Sequence, residues 1–248
     1  RAMAAKAQEF SSVWTRPERQ RKDQPALSRE QIVTEALALL DTEGYDALSM
    51  RRLGTRLNAG ATSLYTHVTN KDEILELVID EAFGEVRMPP LAPERWRADL
   101  LAVGRELRAT ILRHPWISIA MTGAGLAYLG PNLLRLSEGM LALLEAAGFD
   151  DYAADRGSNA IWSYVIGSTG GETAMVTTVA RSGQTEQEWF AKMMVMAGQA
   201  TQGYPHITKR HRSLGDIDVA QTREDFFDSE LSLILDGLEL RRDRAAGK

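Results

Sequence analysis

The 248-residue sequence contains no cysteine. Disulfide frameworks, thiolate metal sites, iron–sulfur clusters and thiol nucleophiles are therefore excluded, and a reducing compartment, the cytoplasm, is the expectation. Long apolar runs are absent as well. No unbroken stretch approaches the roughly 20 residues needed to cross a bilayer, and no apolar core of a secretory signal opens the chain, so no membrane partner is expected. The chain begins with Arg1 rather than Met, and its first residues are read as either trimmed or appended. The common catalytic signatures are missing too. His206 and His211 are five apart rather than four, Gly167-Ser168-Thr169-Gly170-Gly171 is not a nucleophile elbow, and Gly123-Ala124-Gly125 lacks the third glycine of a dinucleotide loop. No catalytic residue, metal ligand or cofactor is assigned.

Charge is unevenly spread. The 29 Lys+Arg and 34 Asp+Glu give a net −5, which divides into 11 basic and 8 acidic residues over 1–71 and 18 and 26 over 72–248. A weakly basic head on an acidic body is compatible with nucleic-acid binding at one end, and equally with many unrelated proteins.

No alternating β pattern of useful length and no internal repeat is present; the period is helical nearly throughout. Residues 1–27 hold few apolar side chains and a mixed-charge run from Arg16 to Lys22. They read as a flexible extension, either a solvated tail or an arm laid along DNA. Ser28 and Gln31 form a capping-box pair ahead of Ile32, Val33, Ala36, Leu37 and Leu40, and Gly44 follows as a left-handed C-cap. Ser49 caps a second, short helix carrying Met50, Leu53 and Leu57. Asn58-Ala59-Gly60 then turns the chain into Ala61 to His67, because Asn tolerates positive φ and Gly60 allows an immediate restart. Asn70 to Glu73 opens a further helix whose Leu75, Val78, Ile79, Ala82, Phe83 and Val86 make one stripe, ended by Pro89-Pro90. Helical periods continue over about 94–113, 115–126, 131–147, 153–180, 185–200 and 222–243.

A short helix, a tight turn and a second short helix can set that second helix into a major groove. Residues 49–71 hold Arg51, Arg52, Arg56 and Lys71 and no acidic residue, the local excess that phosphate neutralisation requires. Leu64 faces the core and leaves Ala61, Thr62, Ser63, Tyr65, Thr66 and His67 for the outer faces. Short amphipathic helices joined by glycine turns also occur in α-helical proteins that bind no DNA, so the pattern alone leaves both readings open.

The particular residues narrow this. Ala36 and Leu40 through Gly44-Tyr45, the run Leu48 to Leu53, and above all Ser63-Leu64-Tyr65-Thr66-His67-Val68-Thr69-Asn70-Lys71-Asp72 make Ser28 to Phe83 resemble the N-terminal domain of the tetracycline-repressor (TetR) family of transcription regulators. The resemblance implies that Arg51 contacts bases, that Thr62, Ser63 and Thr66 lie where recognition-helix contacts occur, and that Tyr65, His67 and Lys71 anchor the DNA backbone. For His67 a hydrogen bond within the protein is the alternative. Arginine can meet guanine O6 and N7 with two hydrogen bonds, while Tyr, His and Lys hold phosphates and fix register. Gly60 departs from the family, standing where many members carry a Ser or Thr cap.

A fainter likeness extends through Leu129-Gly130-Pro131, Ala147-Gly148-Phe149 and Asp236 to Glu239 into the tetracycline-repressor type of C-terminal domain. Tyr128 stands where the tetracycline binder has a metal-binding His, and phenol is a poor magnesium ligand at neutral pH, so a different small hydrophobic effector is expected. Residues 115–200 hold six of the nine methionines and several aromatics. Trp116, Met121, Tyr128, Met140, Trp162, Glu172 and Met175 are the candidate lining of its pocket, and core packing suits the apolar ones equally. Glu172 lies in Gly167 to Thr173, which interrupts the apolar pattern; it is either a buried acid needing a partner or part of a polar solvent-facing turn.

The last helix has two apolar stripes, Phe227, Leu231, Ile234, Leu235 and Leu238 on one side and Phe226, Leu233, Gly237 and Leu240 about a third of a turn away. A surface helix needs only one. The second can be covered by another helix of the same subunit or by the same helix of a partner, and two-fold symmetric reading of DNA favours a homodimer. The resemblance implies that the helices near 153–180 and 222–243 form it. The expectation is thus an all-α chain: an extension (1–27), a three-helix helix-turn-helix DNA-binding domain (28–72), a connecting helix (73–90) and a larger helical ligand-binding and dimerisation domain (91–248). Its partners would be a palindromic double-stranded operator, a second copy and an effector that releases the operator by preferring another conformation. A ligand-binding or scaffold protein without DNA binding, and below it an enzyme, are the alternatives.

Overall fold

A computed structural model describes residues 12–15, 27–123, 129–214, 217–245 and 247. The described residues form α-helices and short 3-10 turns with no strand: α1 (Arg29–Glu43), α2 (Met50–Arg56), α3 (Ala61–Tyr65), α4 (Lys71–Phe83), α5 (Trp96–Arg113), α6 (Trp116–Gly123), α7 (Pro131–Ala146), α8 (Asp151–Ser182), α9 (Glu186–Ala200), α10 (Pro205–Ser213) and α11 (Val219–Ala245). They gather into two compact units, residues 1–88 with 109–140 and residues 89–108 with 141–248. No described helix is long and apolar enough to cross a membrane.

The local signals act largely as the side chains dictate. Ser28 and Gln31 close a capping box on α1, and Ser49, Asn70 and Asp150 each accept a backbone N–H at the start of α2, α4 and α8. Gly44 ends α1 with φ 84° and ψ 177°, not the left-handed cap expected but a conformation open essentially to glycine alone. Four further expectations change. Val13–Thr15 of the supposedly flexible extension form a 3-10 turn, with Val13 buried; the run Arg16 to Lys22 lies outside the described residues. The interruption at Gly167 to Thr173 is no turn, because α8 runs through it unbroken. Pro205 opens α10, which its polar sequence had hidden. And α4 shows not one apolar stripe but burial on nearly every side.

That burial organises the first unit. Ile74, Leu75, Val78, Ile79 and Phe83 of α4 pack with Ile32, Ala36, Leu39 and Leu40 of α1, and α4 also buries three carboxylates. A buried carboxylate costs several kcal/mol unless hydrogen-bonded, and each of these is. Glu73 accepts the Thr69 N–H at 2.8 Å. Glu76 accepts the Ser12 hydroxyl at 2.6 Å and the Val13 N–H at 3.3 Å, which docks the N-terminal turn. Asp80 accepts the N–H groups of Leu133 at 2.9 Å and Asn132 at 3.3 Å, and the Asn132 side-chain amide at 3.2 Å. Asp80 thus caps the N-terminus of α7, whose preceding residue, Gly130, has no side chain to do so. A Cβ on Gly130 would lie 2.2 Å from the Asp80 carboxyl carbon.

In the second unit α8 and α11 pack through Ile161, Val165, Phe227, Leu231, Leu235 and Leu238. Close approach is set by glycines: a Cβ at Gly104 would meet Leu231 at 2.5 Å and one at Gly157 would meet Leu238 at 3.1 Å. Gly148 and Phe149 end α7 in a Schellman turn, their N–H groups reaching Glu145 and Leu144. Phe149 then packs edge-on against Trp96, with the Arg242 guanidinium over both rings.

Removing the tertiary cap should show directly: Asp80→Ala is expected to cost about 2 kcal/mol, read as a lower urea midpoint with helical content at zero denaturant unchanged.

Candidate nucleic-acid interface

α2 and α3 are held at a fixed angle by the turn between them. Asn58 adopts φ 47°, and the N–H groups of Asn58 and Ala59 bond to the carbonyls of Thr55 (3.2 Å) and Gly54 (3.0 Å), a Schellman turn with asparagine in the left-handed position. Gly54 is buried and lies against the Ala59 carbonyl. Gly60 is extended and offers no side-chain cap, so α3 starts with its first N–H groups unpaired by a side chain. What fixes α3 is burial of Leu64 and Val68, 1% and 0% exposed.

The expected DNA-facing residues fall into distinct environments. Tyr65 and Thr66 are exposed and Ser63 half-buried; the Thr66 hydroxyl donates to the Ser63 carbonyl at 2.6 Å. Thr62 lies in α3, but its side chain is outside the described residues. His67 is half-buried near the start of α1, and its charge is one of the minor influences on Glu30. That carboxyl is held below the usual range mainly by a backbone N–H and the Ser28 hydroxyl. Lys71 donates to the Tyr45 carbonyl at 3.2 Å and sits 4.0 Å above the Tyr45 ring, pinning the start of α4 to the 45–47 turn.

The basic excess of this segment is partly neutralised from α1. Arg52 pairs with Glu43, and Arg56 pairs with Glu35 and lies 3.4 Å from Glu43. Sequence reasoning counted these arginines as free charge; the signal that could have corrected it is the pair of acids on α1. Arg51 differs. It is exposed, and among the described residues its guanidinium has no anionic partner. Ser49, Arg51, Arg52, Thr55 and Arg56 line one open depression with Glu43. Arg51 and Tyr65 are thus both left exposed in this segment.

The candidate effector residues are divided between the units. Trp116, Met121 and Met140 lie in the first. Trp116 is 2% exposed and donates to Asp41 at 2.7 Å, Met140 is fully buried, and Met121 is half-buried. Trp162, Glu172 and Met175 lie on α8 in the second and are half-buried. Tyr128 falls outside the described residues. Glu172 finds its partner within the protein: Arg108 donates two hydrogen bonds of 2.7 Å, and Arg223 Nε lies at 3.4 Å. That carboxylate raises the Arg108 pKa above its usual value against the opposing effect of burial.

Comparison with known proteins gives a consistent result. Residues 32–78 match the family model described as bacterial regulatory proteins, tetR family, and residues 89–242 match the tetracyclin repressor-like C-terminal domain. The chain is 45% identical over 162 residues to an HTH-type transcriptional regulator of Saccharopolyspora erythraea, covering 65% of this chain and 68% of that one. It is 31% identical over 223 residues to the HTH-type transcriptional repressor DrrR1 of Streptomyces coeruleorubidus, covering 89% and 80%. Among solved structures, the TetR family protein ActR of Streptomyces coelicolor in complex with actinorhodin is similar at a TM-score of 0.73 and 29% identity, covering 86% of this chain and 95% of that one.

The division of labour among the arginines is testable. Arg51→Ala should weaken specific duplex binding by about 10- to 100-fold in a fluorescence-anisotropy titration while leaving the melting temperature unchanged. Arg56→Ala should instead lower stability by up to about 1 kcal/mol.

Proposed function

The chain belongs to the tetracycline-repressor family, whose members are DNA-binding regulators that dimerise and bind small-molecule effectors, and from that membership we propose a homodimeric repressor acting in the cytoplasm. It holds a palindromic operator with two copies of α3 and lets go when a small hydrophobic effector is bound. The observation that carries the reading is the exposed Arg51 at the start of α2 of the helix-turn-helix, with no anionic partner among the described residues. The phosphate-facing roles suggested for Tyr65, His67 and Lys71, and the base-facing roles for Thr62, Ser63 and Thr66, belong to the same proposal. Lys71 also shapes the head in this proposal, through its contacts with Tyr45.

The pairing surface is proposed on α8 and α11. Of the two stripes on α11, Phe227, Leu231, Leu235 and Leu238 are buried within the chain, whereas Phe226, Leu233 and Leu240 are exposed to 47%, 66% and 53%. Large apolar side chains left in water along one helix face favour a partner. Among the described residues nothing lies within 4 Å of where a Cβ on Gly237, Gly167 or Gly171 would be, so packing among them gives no reason for glycine at these exposed positions. A close crossing with a second copy does.

ActR, solved with actinorhodin, makes that compound the first effector to try. Trp162 and Met175 on α8 remain the proposed effector contacts of the second unit. Glu172 contributes there by orienting Arg108.

Sequencing the genomic fragments retained by the purified protein tests the operator: enrichment of one inverted repeat is expected, lost with Arg51→Ala. Leu233→Glu should convert dimer to monomer in size-exclusion chromatography with light scattering and abolish operator binding, with helical content retained.

A further inference from the structure

One cluster around a buried imidazole is not used by the operator-binding reading. His114 follows the last residue of α5, and its side chain is 5% exposed. Its Nδ1 lies 2.7 Å from Asp41 Oδ1 and its Nε2 3.2 Å from Glu85 Oε1. The same Asp41 oxygen accepts the Trp116 indole N–H at 2.7 Å, and Arg113 pairs with Glu85. Asp41 belongs to α1 and Glu85 follows α4. A single imidazole therefore joins α1, the end of α4 and the corner between α5 and α6, all within the first unit.

Counting protons shows what this geometry requires. A neutral imidazole carries one N–H, so it donates to one carboxylate and turns a lone pair toward the other. Two carboxylate contacts are both hydrogen bonds only when both ring nitrogens carry a proton. The charges balance in that form, with Asp41 and Glu85 set against Arg113 and the imidazolium. The 45–47 turn, which packs on α6, brings Tyr45 and Asp46 into the neighbourhood, and neither is bonded to the ring. Within α5 the Thr110 carbonyl accepts the His114 backbone N–H.

We infer that His114 is a proton-dependent clasp that holds α1 and the end of α4 against the α5–α6 corner, so that operator affinity falls as pH rises. The affinity readout rests on the repressor reading; the clasp itself does not. The sign follows from linkage. The closed cluster holds one proton more than a cluster with a neutral ring, so its stabilisation is present at low pH and lost as pH rises through deprotonation of the ring.

The test compares the wild type with His114→Gln at constant salt, at about pH 6 and about pH 8. Wild-type operator affinity is expected to drop about 5-fold or more across that interval. His114→Gln should be flat at the weaker value, while His206→Gln, altering an exposed histidine of α10, should keep the wild-type slope. Melting temperatures without DNA give a second reading: the wild type should melt about 2–4 °C higher at the lower pH, and His114→Gln should show no such difference. Glu85→Gln, at a half-exposed position, should reduce the slope without touching the buried ring, and so answers the case in which His114→Gln does not fold. Equal pH slopes in wild type and His114→Gln would overturn the clasp. A wild type that binds no duplex would overturn the repressor reading instead, and the melting comparison would then decide on the clasp.

Discussion

The structure turns on α4 and the acids it buries. A helix surrounded by apolar side chains would ordinarily carry no carboxylate inside, yet Glu73, Glu76 and Asp80 are all within it, each 5% exposed or less. Their need for hydrogen bonds fixes what surrounds the helix. Glu73 ties down the loop that leaves α3, Glu76 recruits the N-terminal turn, and Asp80 takes the exposed end of α7. Apolar packing alone would let these elements slide along α4. The carboxylates give each of them a register.

The same logic runs outward to the proposed DNA-facing surface. α3 is five residues long and lacks a side-chain cap, so it has little stability of its own. Leu64 and Val68 hold it from beneath and the asparagine turn sets its angle to α2. Arg52 and Arg56 reach back to α1 and stiffen the platform, which leaves Arg51 to face outward. A helix this short is positioned by its neighbours rather than by its own propensity.

How far the sequence could be read depended on the range of the interaction. Caps at Ser28, Ser49 and Asn70, the turn at Asn58 and the core faces of α1 and α11 are local in chain, and composition and spacing expose them. The same holds for Ser63 to Asp72, whose resemblance to a known family foretold the head domain and the class of function. Long-range polar contacts were not legible. Nothing near Glu76 announces Ser12, nothing near Glu172 announces Arg108, and Asp80 looks like any surface acid until α7 is seen to end on it. The pairing of Arg52 and Arg56 with α1 escaped for the same reason, because a charge count along the chain does not know which acids fold back. The polar α10 was missed since its only strong start signal is Pro205.

The makeup of the first compact unit bears on any attempt to move the reading head onto another sensor. Residues 109–140 are as much a part of it as residues 1–88. A chimera spliced just after α4 would strip Asp80 of the backbone it caps and Asp41 of its indole donor, and would hand the host protein a head with buried acids newly orphaned. The transferable module is discontinuous, and recombination that respects it must carry the α6 segment and the first half of α7 along with the head.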